Sequence, residues 1–93
     1  SHEEALARAA KRKGFTEAYE ALALEYQLAD QMLTARSQAG LTQDAVAALM
    51  GTTKSAVSRL EGVGKHAPSL ATLKKYAQAV GCELQFSLVK KVA

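Results

Sequence analysis

LTQDAVAALMGTTKSAVSRLEG, residues Leu41 to Gly62, holds two short runs of good helix formers separated by Gly51-Thr52-Thr53. The first run predicts a helix from Gln43 to Met50, with Thr42 as its N-cap and Asp44 in the first turn. Gly51 ends it within one residue, because glycine accepts positive φ without a Cβ clash. Thr52 or Thr53 then starts a second helix, Lys54 to about Glu61, by offering a hydroxyl oxygen to its free amides. Helices joined by so short a turn must cross at a large angle, so that one packs into the body and the other projects from it. Val46, Ala47 and Met50 can then meet Val57 and Leu60, with Ala47 small where the two approach closely.

The residues left outward at the start of the second helix are Lys54, Ser55, Ser58 and Arg59, at i, i+1, i+4 and i+5. An exposed helix carrying these side chains suits a DNA major groove. Arginine can bond guanine O6 and N7 together, lysine does similar work less rigidly, and serine reads less selectively. The plainer reading is two core helices with a solvated face, on which Arg59 pairs with Glu61 or another carboxylate.

Working outward, His2 to Lys13 reads as a short Ala-rich helix that Gly14 would cap. Lys11, Arg12 and Lys13 fall in its last turn, where they complement the helix dipole or form a binding patch. Thr16 is a plausible N-cap for a long helix to about Gln38. Along it Tyr19, Leu22, Tyr26, Ala29, Leu33 and Arg36 form one stripe, and Leu24, Leu28 and Met32 a second. A helix apolar on two sides needs two partners, its own core and another protein, unless neighbouring helices bury both faces. Gly40 ends it. Beyond the quoted stretch, Gly62 to Pro68 is a loop on which Lys65 and His66 are candidates for phosphate, His66 reading equally as an ordinary loop residue. Ser69 caps a further helix to about Val80, with Leu70, Leu73, Tyr76, Ala77 and Val80 inward and Lys74 and Lys75 outward.

After Gly81 the period changes. Cys82, Leu84, Phe86 and Leu88 alternate with Glu83, Gln85 and Ser87, which is the pattern of a strand. A lone strand leaves its backbone donors and acceptors unpaired, so it calls for the same strand from a second copy, antiparallel across a two-fold axis. Leu84, Phe86 and Leu88 are therefore the expected dimerisation residues.

The whole chain agrees with a small helical domain: 93 residues, 48% apolar, one proline and no tryptophan. Net charge is +3, and its distribution is uneven. Residues 1–26 carry four bases against five acids, and residues 27–93 carry eight against four, so the basic excess lies with the quoted stretch. No apolar run approaches the roughly 18 residues of a membrane span, and no signal-peptide pattern opens the chain. The single cysteine, Cys82, has no second thiol for a disulfide or a metal, which suits a reducing cytoplasm. His2 and His66 are neither metal-spaced nor paired with a nucleophile, and no phosphate-binding glycine loop occurs. Neither enzyme activity, metal nor cofactor is expected.

The stretch LTQDAVAALMGTTKSAVSRLEGVGKHAPSLATLKKYAQAVG resembles the Xre, or lambda repressor-like, helix-turn-helix family. The likeness rests on its Leu-Thr-Gln opening, Ala47, Gly51, Ser-x-Val-Ser-Arg-Leu-Glu and the following Pro-Ser-Leu-x-Thr-Leu. It implies an all-α fold, a bundle of about five helices, with Gln43 and Thr53 on phosphate and Lys54, Ser55, Ser58 and Arg59 facing the bases. FTEAYEALALEY before the motif and CELQFSLVKK after it resemble antitoxins of the HigA type. That resemblance implies a homodimer that binds a palindromic operator in its own promoter and represses it. It also implies a partner, a RelE/HigB-like toxin that cleaves mRNA on the ribosome. The expected organisation is an N-terminal helical extension over 1–26 that contacts toxin, a DNA-binding domain over 27–81 and a dimerisation strand and tail over 82–93. A stand-alone Xre-family regulator without a toxin is the alternative.

Overall fold

The computed structural model describes residues 2–64 and 67–92, with side chains described from residue 17 onward. Among these described residues four helices follow one another: α1 His2–Gln38, α2 Gln43–Met50, α3 Lys54–Leu60 and α4 Leu70–Ala79. The expected five become four because the two N-terminal helices are one. Gly14 does not cap, and Thr16 lies inside the helix rather than at its start. An interior glycine costs about 1 kcal/mol relative to alanine, whereas a break would forfeit the nucleus already formed and require another. At 1.5 Å per residue the 37 residues of α1 span about 55 Å, which sets the 59 Å long axis of the molecule.

The helix ends follow local chemistry. Thr42, Thr53 and Ser69 each accept a hydrogen bond at 3.1 Å from the amide three residues on, Ala45, Ala56 and Thr72. Thr53, not Thr52, is therefore the cap of α3. Gly51 lies at φ 70°, ψ 36°. Its amide donates to the Ala48 carbonyl at 3.2 Å and that of Thr52 to the Ala47 carbonyl at 2.9 Å, which closes the end of α2 in a Schellman turn. Equivalent pairs of bonds close α1 at Gly40 and α4 at Gly81.

One small core joins all four helices: Met32 from α1, Val46 and Ala47 from α2, Val57 from α3, and Tyr76 with Val80 at the end of α4. Val46 and Val57 are fully buried, each contributing roughly 1.5–3 kcal/mol relative to exposure. Only the last part of α1 takes part. Ala29 and Met32 are buried and Leu28 and Ala35 half-buried, while Tyr19, Leu22, Leu24, Tyr26 and Leu33 are exposed. The second stripe thus meets the core through Leu28 and Met32, and most of the first stays open. Leu70, expected inward, is exposed at the first position of α4.

Residues 82–92 run on without regular structure, and no strand occurs among the described residues. The described residues offer this segment no neighbouring strand, so a ladder has nothing to form against. Leu84 is half-buried beside α1 and α4, in a groove that also includes Leu28, Met32, Leu73 and Tyr76. Phe86 and Leu88 are exposed. Cys82, on the same side of that alternation, is exposed as well.

Candidate nucleic-acid interface

The Schellman turn at Gly51 and the Thr53 cap leave only three residues between the end of α2 and the start of α3. Val57 is fully buried and Leu60 half-buried, so the opposite side of α3 faces solvent. Lys54, Ser55, Ser58 and Arg59 all lie on that side and all are exposed. At 100° per residue they span an arc of about 140°, one continuous polar face. Lys54 Nζ lies 3.8 Å from Asp44 Oδ2 between two largely exposed side chains. A pair of that kind contributes little, so Lys54 gives up little by exchanging it for another anion. Arg59 is not paired with Glu61, as the plainer sequence reading had allowed, because Glu61 is taken up entirely by other residues.

Those residues form the polar centre of the fold. Glu61 follows α3, and its side chain is only 3% exposed. Arg36 Nε donates to Glu61 Oε2 at 2.7 Å and Nη2 to Oε1 at 3.0 Å. Gln43 Nε2 donates to Oε1 at 2.9 Å and the Tyr76 hydroxyl to Oε2 at 2.6 Å. Both carboxylate oxygens are thus filled by donors from α1, α2 and α4. The Tyr76 hydroxyl also lies 2.9 Å from the Met32 carbonyl, but its single hydrogen favours the closer, charged acceptor. Burial by itself pushes the Glu61 carboxyl up. The hydrogen bonds from Arg36, Gln43 and Tyr76, with the Arg36 charge, outweigh it and hold the group below the usual carboxylate range. For Arg36, the hydrogen bond to Glu61 raises the guanidinium further above its ordinary value. Burial and then Glu61 push the Tyr76 phenol well up.

This hub was not read from the sequence, although a signal was present. Arg36 ends an otherwise apolar stripe, and a guanidinium on an inward face requires a carboxylate. Of the expected phosphate residues, Gln43 is half-buried with one amide hydrogen on Glu61, which orients its carboxamide at the start of α2. Thr53 Oγ1 accepts from Ala56, leaving the hydroxyl hydrogen for another acceptor. Lys65 and His66 lie outside the described residues, as do the side chains of Lys11, Arg12 and Lys13. Among the described residues no group of three or more His, Cys, Asp or Glu could hold a metal ion, and no helix is long and apolar enough to cross a membrane.

Compared with known proteins, residues 32–87 match the family described as helix-turn-helix. The match takes in the end of α1, all of α2, α3 and α4, and the tail through Ser87. No curated protein and no solved structure matches the chain.

Proposed function

Because this chain belongs to the Xre-like helix-turn-helix family, whose motif is a DNA-binding one, we propose that it is an antitoxin and transcriptional autorepressor. In this reading it is a non-enzymatic cytoplasmic protein without cofactor that binds a palindromic operator as a homodimer. It also neutralises a RelE/HigB-like mRNA-cleaving toxin. The observation that carries the DNA half is the exposed face of α3, where Lys54, Ser55, Ser58 and Arg59 stand clear of the core. Arg59 and Lys54 read base edges, Ser55 and Ser58 add less selective bonds, and Gln43, Thr53 and Lys65 take phosphates.

The toxin half is supported by α1. Tyr19, Leu22, Leu24 and Tyr26 are exposed, and large apolar side chains grouped on one segment mark a protein partner more often than solvent. We assign residues 1–26 to that contact, although α1 itself runs on to Gln38 without a break. The dimer is supported by the tail, whose alternating residues Leu84, Phe86 and Leu88 have no strand to pair with among the described residues of their own chain.

Two measurements test the reading. Arg59→Ala should cost about 1–3 kcal/mol of operator binding and relax preference at one base pair. Equal losses on operator and random DNA would refute base reading by Arg59. For the toxin, the chain and its adjacent reading frame are co-expressed and the complex is captured through this chain. Recovery of a small basic RelE-like protein supports the antitoxin, whereas operator binding with no such product selects the stand-alone regulator.

A further inference from the structure

Lys74 and Lys75 are neighbours in sequence and part company in space. Lys74 lines the groove between α4 and the tail, with Leu70, Gln78 and Phe86. Lys75 instead lines, with Thr72, an open cleft of about 430 Å³ whose other wall is Thr52, Ala56 and Arg59. Two cations from different helices therefore border one hollow. Among the described residues neither is engaged in an ion pair. The Gly51 and Thr52 amides are committed to the Ala48 and Ala47 carbonyls, so neither is free for a ligand. An anion in this cleft would have to be held by side chains, and Lys75 and Arg59 are the charged ones.

The position of the cleft indicates which anion. A helix with its side chains is about 10–12 Å across and the major groove about 12 Å wide, so a seated helix has a phosphate strand along each flank. The cleft opens on one flank of α3, between Ala56 and α4, to the side of the face that would meet the bases. We propose that it seats a backbone phosphate of the bound DNA, held by the Lys75 ammonium on α4 and bordered by Arg59. Lys75 is then a positioning residue. It ties α4, and the core behind it, to one strand and so sets how α3 is rotated in the groove.

This inference rests on the DNA-binding reading, and the test separates the two. Operator and random-duplex affinities are measured across a salt series for the wild type, Lys75→Gln, Lys75→Arg and Lys74→Gln, with urea midpoints as a check on folding. Lys75→Gln should weaken both duplexes roughly tenfold and lower the slope of log K against log salt by about 0.9 per protomer bound. Lys75→Arg should restore most of the loss, and Lys74→Gln should behave as the wild type. Unchanged binding by Lys75→Gln while Arg59→Ala fails would overturn the assignment and leave the DNA reading intact. Absence of any wild-type binding would sink both. Titration of inorganic phosphate into the free protein, followed by the Thr72 and Lys75 amide resonances, distinguishes the remaining source. Saturable shifts at millimolar phosphate, with operator binding unaffected by Lys75→Gln, would assign the cleft to a free anion and overturn the proposal.

Discussion

Glu61 is the residue on which the geometry of the site depends most. It receives donors from three helices while closing the end of a fourth, so a change in any partner is felt at α3. Arg36 supplies the compensating charge, and removing one member of a nearly buried pair leaves the other charge unneutralised. Arg36→Met should therefore destabilise the fold by about 3 kcal/mol, read as a lower urea midpoint; a loss under about 1 kcal/mol would mean that Gln43 and Tyr76 hold the carboxylate unaided. The same carboxylate predicts a pH dependence. Its folded-state value lies below the ordinary 4.5, so the folded chain binds fewer protons at this group than the unfolded chain does. Its contribution is complete above pH 4.5 and is lost as pH falls through the lower folded value. Unfolding followed from about pH 6 to about pH 3 should show a steeper decline in the wild type than in Glu61→Gln. Parallel curves would remove Glu61 from the account.

At the scale of elements, α3 is only seven residues long, too short to be stable alone in water. It persists because Thr53 caps it, Val57 anchors it and the Gly51 turn delivers it. An alanine Cβ at Gly51 would meet nothing within 4 Å, so the cost of Gly51→Ala is backbone strain at positive φ alone. That should be about 1–2 kcal/mol of stability, with operator contacts kept in the molecules that remain folded. A loss of 3 kcal/mol or more would indicate that the turn has rearranged. In α1 the contrast lies between its two parts. The part that ends at Gln38 belongs to the core, and the exposed side chains before it can be changed without disturbing that core. Leu22→Asp should keep the urea midpoint within about 0.5 kcal/mol and lose toxin capture. Capture at wild-type level would remove this face from the toxin contact.

For the molecule as a whole the number of copies sets how much DNA is read. One recognition helix reads only a few base pairs, and two in successive major grooves on one DNA face require half-sites centred about 34 Å apart. The tail is the segment proposed to bring the second copy into register. Phe86 is 74% exposed in the single chain, so Phe86→Asp carries little cost for the protomer and a large one for an apolar pairing. Light scattering should give a monomer mass for Phe86→Asp, together with weaker operator binding and an unaltered helical spectrum. A dimer mass for that variant would place the two-fold contact elsewhere.

The sequence by itself determined what depends on neighbours along the chain. The turn at Gly51, the threonine and serine caps, the outward set Lys54, Ser55, Ser58 and Arg59 and the buried Val46, Ala47 and Val57 all follow from residue type and helical period. Gly14 marks where such reasoning stops, because a glycine that can end a helix can also be carried through one when strong helix formers flank it. Only the tertiary structure decided which carboxylate meets Arg36, which part of α1 is covered, and that adjacent lysines on α4 border different grooves. Those are contacts between residues far apart in sequence, and a linear pattern records the chemistry available to them without the position at which they meet. The tail stands between the two cases. Its alternation is local and legible, but the pairing that would make it a strand needs a neighbour that one chain does not provide.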